Sequence, residues 1–157
     1  MQSDDKYFTV KYYGTANPLV ITLPPNERSG GAQYIEVELG AFFWNTPKRN
    51  MDGVGNNDIE IVKCIIPGLS SGNYDINGKN TNIAVIIAPN ARPIMELSGS
   101  MMGFDQFTYS PGRPDLYLCP PAPQLVIWFL NKNDTAIDFT NGGTDNLPYY
   151  ASFNIAL

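Results

Sequence analysis

Apolar and polar positions along this chain alternate with a period of two, and no window of eleven or more residues sustains a period near 3.6. Residues 149–157 (YYASFNIAL) show it best. Tyr149, Ala151, Phe153, Ile155 and Leu157 fall on one side, with Ser152 and Asn154 on the other. That is a strand with one buried face. Residues 34–44 alternate Ile35, Val37, Leu39, Ala41 and Phe43 against Glu36, Glu38 and Gly40, and Gly40 marks a bend or bulge. Residues 58–66 start with Ile59 and Ile61 in phase and then switch to Val62, Cys64 and Ile66, which predicts a β-bulge near Ile61 and Val62. Residues 82–88 and 124–130 are apolar on both faces, the pattern of central strands covered on both sides. Residues 6–13 and 19–23 read as further strands, and 94–97, 104–109 and 115–119 as shorter ones.

The segments between these runs carry turn chemistry: Pro24-Pro25, residues 46–50, 53–57 and 70–73, Asn77-Gly78, Pro111-Gly112, 120–123, the NKND of 131–134, and Asn141-Gly142-Gly143. Frequent short strands joined by turns, without helices, predict an all-β protein. The expected fold is an antiparallel β-sandwich, a jelly roll of about eight to ten strands, forming a single domain over residues 1–157. Its core is expected to contain Ile83, Val85, Ile87, Leu125, Ile127, Phe129, Phe153 and Ile155.

Composition narrows the chemistry. The chain has no histidine, which removes the commonest general base and most nucleophile pairs and transition-metal sites. Nucleotide-binding and hydrolase motifs are absent from the sequence. Glu36 and Glu38, like Asp58 and Glu60, share one strand face, which alternation assigns to solvent. They cannot flank a sugar as a glycosidase pair must. The oxygen-rich positions Asp52, Asn56, Asn57, Asp58, Asp134, Asp138 and Asp145 lack the spacing of a calcium loop. The expectation is a non-enzyme with no catalytic residue, no cofactor and no metal. The net charge of −5, with the ten basic residues scattered, argues against direct nucleic-acid binding. No apolar run is long enough for a membrane span. The polar N-terminus does not read as a signal peptide. Cys64 and Cys119 lack metal spacing, and Cys64 reads as a small core residue.

Aromatic residues are the surplus. Phe42, Phe43 and Trp44 are consecutive, so alternation throws bulky rings onto both faces of one strand, and Tyr12 and Tyr13 do the same nearby. A sandwich buries one face per sheet. These five residues are therefore the candidate protein interface, and residues 1–6 are a candidate arm reaching a neighbour.

Three stretches carry a family resemblance: residues 34–39, residues 61–76 (IVKCIIPGLSSGNYDI), and residues 124–139 (QLVIWFLNKNDTAIDF) with YYASFNI. They resemble the single jelly-roll capsid proteins, penton (vertex) or minor, of large icosahedral double-stranded DNA viruses and their relatives. The resemblance implies a structural virion protein made in the host cytoplasm. Its partners would be itself, as a five-fold homo-oligomer, and other capsid proteins. The alternative on the residues alone is a carbohydrate- or receptor-binding β-sandwich module of the fibre-head type.

Overall fold

Eleven strands and no helix form among the residues that the computed structural model describes: 7–24, 34–48, 59–69, 74–91, 94–97, 100–120, 122–140 and 146–156. They are β1 (Tyr7–Gly14), β2 (Leu19–Thr22), β3 (Ile35–Lys48), β4 (Val62–Ile65), β5 (Ile83–Ile87), β6 (Pro89–Ala91), β7 (Ile94–Leu97), β8 (Ser100–Tyr109), β9 (Leu116–Cys119), β10 (Gln124–Leu130) and β11 (Tyr149–Ala156). Eleven is one more than the upper end of the eight to ten the sequence predicts, within the expected all-β, two-sheet architecture. Residues 1–6, the oxygen-rich positions 52, 56–58 and 145, and the loop at 141–143 lie outside the described residues.

The strands make two antiparallel sheets. The larger has the order β1-β11-β3-β8-β6, with β7 also on β8 and β9 also on β3; the smaller has the order β2-β10-β4-β5. The pairing is nested. β1 lies on β11, β2 on β10, β3 on β8 and β9, and β4 on β5. Successive nested pairs fall in alternate sheets, so the chain doubles back on itself and wraps across both. One core cluster joins the sheets, with Val37, Leu39, Phe42, Phe153 and Ile155 from the larger and Val62, Ile127 and Phe129 from the smaller.

β3 organises the larger sheet. Its first residues pair with β9 (Ile35 opposite Cys119) and its last with β8 (Lys48 opposite Gly103), so β8 and β9 run along the same side of one long strand. On the other side, consecutive Ser152 and Phe153 of β11 face Ala41 and Leu39. Gly40 is the extra residue, the bulge that the sequence marks there. A bulge shifts the face of everything beyond it. Burial accordingly runs Ile35, Val37, Leu39 before Gly40 and Phe42, Trp44 after it. A Cβ on Gly40 would stand 3.1 Å from the Ser152 hydroxyl.

β3 also continues through Pro47 to Lys48, where the sequence predicts a turn. Its pairing with β11 ends at Phe43. Beyond that point β3 lacks β11 as a neighbour, and a residue without an N–H is tolerated at such an edge.

Two expectations for the smaller sheet are corrected. The phase change at Ile61 and Val62 is real in burial, but Val62 is the first residue of β4, so it precedes the ladder. The register shift lies at the next strand, where Cys64 faces Val85 and Ile65 faces Ile83, leaving Ala84 as the extra residue. Ala84 is buried, while Ile83 and Val85 are only half-buried rather than core. β5 is an edge strand, not a central covered one, and Ile86 is 53% exposed on its outward side. β10 is central, but its outward residues Val126 and Trp128 are half-buried rather than covered. Ile87, Leu125, Ile127, Phe129, Phe153 and Ile155 are buried as expected.

Candidate interaction surfaces

The aromatic surplus divides between core and surface. Phe42 packs against Phe129 (centroids 5.2 Å apart) and stacks on Tyr149 (5.7 Å). Trp44 stacks on Phe107 and meets Phe139 edge-on at 4.9 Å. Both are buried, so the expectation that Phe42 and Trp44 belong to an interface is corrected: the Gly40 bulge turns them inward. Tyr12 is half-buried against Tyr149, and its hydroxyl accepts a hydrogen bond from the Ala16 amide at 3.1 Å. It braces the end of β1 rather than facing outward. The neighbouring Gly14 is needed there, because a Cβ would overlap the Tyr12 hydroxyl.

Tyr13 and Phe43 do face solvent, at 71% and 43% exposure. Register brings in a third ring that sequence reading missed. Tyr13 lies opposite Tyr150, and Tyr150 lies opposite Phe43. The three residues form one row across β1, β11 and β3, with strand spacings of about 4.8 Å. The Phe43 and Tyr150 centroids are 6.0 Å apart.

Beside this row is an open cleft of about 270 Å³, also lined by Asn45, Asn146, Leu147 and Pro148. Core contacts hold its wall. The Leu147 N–H donates to Phe139 O at 2.9 Å, and the buried Trp44 indole N–H donates to Leu147 O at 3.1 Å. Among the described residues its lining contains no Asp, Glu, Lys or Arg.

The second surface is the outward side of the smaller sheet. Val20 (47% exposed) sits opposite Val126, Trp128 opposite Ile65, and Ile65 opposite Ile83. An apolar row crosses all four strands of this face, with Thr22, Gln124 and Lys63 beside it. Lys63, next to Ile65 on β4, bonds to Asp134 at 2.9 Å, so its charge is already engaged at the rim. At the β5 edge an open depression of about 590 Å³ continues the surface between Tyr74, Asp75, Thr81 and Ile83–Ile86. The wall at Asp75 is a tight turn: the Asp75 carboxylate accepts from the Asn77 and Lys79 amides, each at 2.9 Å, and Gly78 takes the positive φ of 76° that closes it.

The remaining reactive groups are structural. Cys64 and Cys119 are free and buried. Burial alone pushes the Cys64 thiol up to about 12 and the Cys119 thiol to about 11, so neither is a nucleophile near neutral pH. Tyr149 and Tyr117 are likewise held protonated, chiefly by burial; for Tyr117 the Asp115 charge adds to it. Their hydroxyls donate to Ala16 O (2.5 Å) and Ala84 O respectively. Among the described residues no group of three or more Cys, Asp or Glu side chains could hold a metal ion. No protein-family model matches the chain, and no curated protein matches it.

Proposed function

We propose that this chain is a structural virion protein, a single jelly roll that serves as a penton or minor capsid component and assembles through protein–protein contacts. The nested pairing supports the jelly-roll reading. A jelly roll is a doubled-over chain whose strand pairs alternate between two sheets, as β1·β11, β2·β10, β3·β9 and β4·β5 do here.

The observation that carries the assembly reading is the outward face of the smaller sheet. Antiparallel sandwiches ordinarily leave that side polar. Here Val20, Ile65, Ile86, Val126 and Trp128 occupy much of it, two of them about half exposed, beside Thr22, Gln124 and Lys63. A contiguous apolar surface of this kind marks a contact with another chain. Trp128, half-buried at its centre, has the character of an interface anchor. A ring of subunits uses two different patches on each copy. The depression at the β5 edge offers a second surface adjoining the first. Partners on this reading are further copies of the chain, five around a vertex, and other capsid proteins in the virion.

Native mass spectrometry of the purified chain, with cross-linking on particles that contain it, tests the proposal. A pentamer, or a complex with a larger capsid protein, is the expected result. Val126→Glu should dissolve it while the far-UV spectrum stays unchanged. A stable monomer with no cross-link to another capsid chain would overturn it.

A further inference from the structure

We propose that the cleft beside Tyr13, Tyr150 and Phe43 is a binding site for a neutral saccharide. Three observations converge on that ligand class.

First, the floor is a row of three outward rings from three adjacent strands, with Tyr13 the most exposed. An aromatic face carries negative charge density, and the axial C–H face of a pyranose offers it a flat, weakly positive, apolar patch. A row two strand spacings long, about 10 Å, has room for one or two such sugar rings. The cleft volume of about 270 Å³ is of the same scale.

Second, the polar groups at the rim are the amides of Asn45 and Asn146. A carboxamide both donates and accepts, which suits vicinal hydroxyls. Both residues are exposed, and neither amide is committed to a hydrogen bond with another described residue. No described residue of the lining carries an acidic or basic side chain, so among these residues nothing rewards a charged ligand.

Third, the wall is built before any ligand arrives. Both backbone groups of Leu147 are tied to the core, through Phe139 and through the buried Trp44 indole. A preformed wall lowers the ordering cost of binding. A proline-rich peptide also docks on aromatic surfaces, but it occupies several residues of extended chain, whereas this row is two strand spacings long, about 10 Å.

The site lies on the larger sheet, away from the apolar face of the smaller one, so its test reads the same on a monomer or an assembly. Saturation-transfer NMR and calorimetry on the full chain should be run with β-linked di- and trisaccharides of glucose, galactose, mannose and N-acetylglucosamine, and with a decaproline peptide as the competing probe. At least one saccharide should bind saturably at millimolar concentration or below. Tyr13→Ala and Phe43→Ala should each weaken it roughly 3–10-fold, the worth of one lost ring contact. Both rings are outward, so the variants should melt with the parent. Asn146→Ala, which removes no ring, should also weaken binding. Absence of binding by every saccharide, undiminished binding in both ring variants, or binding of decaproline instead would overturn the proposal.

Discussion

Asn17 does the work of a missing strand residue. The β2 ladder on β10 ends with Leu19 opposite Ile127, which would leave the Phe129 N–H without a rung, while Phe129 O already accepts from the Ile137 N–H at 3.0 Å. The Asn17 side chain supplies it. Its amide donates to Phe129 O at 2.7 Å and to Ile137 O at 2.9 Å, and its carbonyl accepts from the Phe129 N–H at 3.0 Å. A carboxamide has the donor and acceptor of a peptide group, so the ladder extends by one position beyond the chain itself. Asn17→Ala leaves a partly buried donor unpaired beside a core phenylalanine. Denaturant titration should show a loss of about 2–4 kcal/mol. In the sequence this residue looks like ordinary turn punctuation before Pro18, because its partners lie far along the chain. The turn at Asn131 is the opposite case. Its side-chain oxygen accepts from Asn133 and Thr135, at 2.9 and 3.0 Å, two and four positions on, so the local pattern NKND announces it.

At the scale of the strand, existence was legible and phase was not. Period-2 alternation depends only on neighbours, so β10, β11 and most of β3 can be read directly. A bulge adds one residue and reverses every later side chain, and Gly40 alone marks this one. The alternation that places Phe43 with Ile35 and Leu39 is thereby inverted. Phe42 and Trp44 take the core, and Phe43 joins the surface row. Unfolding experiments can read this inversion from two adjacent residues. Phe42→Ala removes a fully buried ring and should cost about 3–5 kcal/mol. Phe43→Ala should cost less than about 1 kcal/mol. Equal costs would place the bulge elsewhere. For β5 the signal failed differently. An apolar run has the same appearance whether a second layer of the same chain or another protein covers its outer side, and Ile83, Ile86 and Val85 belong to an edge.

At the scale of the molecule, the sequence conveys the fold class because many short strands admit few architectures. It does not convey the strand order, since each nested pair joins residues distant along the chain. The same limit applies to the candidate sites. Tyr13 and Phe43 stand out by composition, while Tyr150, Asn45 and Asn146 acquire meaning only through register and the course of residues 146–148. The outward face of the smaller sheet is assembled from four separate segments, each of which reads as core when taken alone. The surfaces proposed for assembly and for saccharide binding lie on different sheets, so one protomer has room to use both at once.

The outermost nested pair also determines how the protein bears load. Tyr7 lies opposite Ala156, and Gly14 opposite Tyr149. Tension applied at residues 7 and 156 therefore falls on a single rung of the β1·β11 ladder, which opens like a zip, one bond pair after another. Tension applied at residues 15 and 156 pulls the two strands lengthwise past each other and strains eight rungs together. Optical-tweezers measurements with handles at those two pairs of positions should find the first geometry yielding at markedly lower force. The β1·β11 register therefore predicts softness to a pull at residues 7 and 156 and stiffness to one at residues 15 and 156.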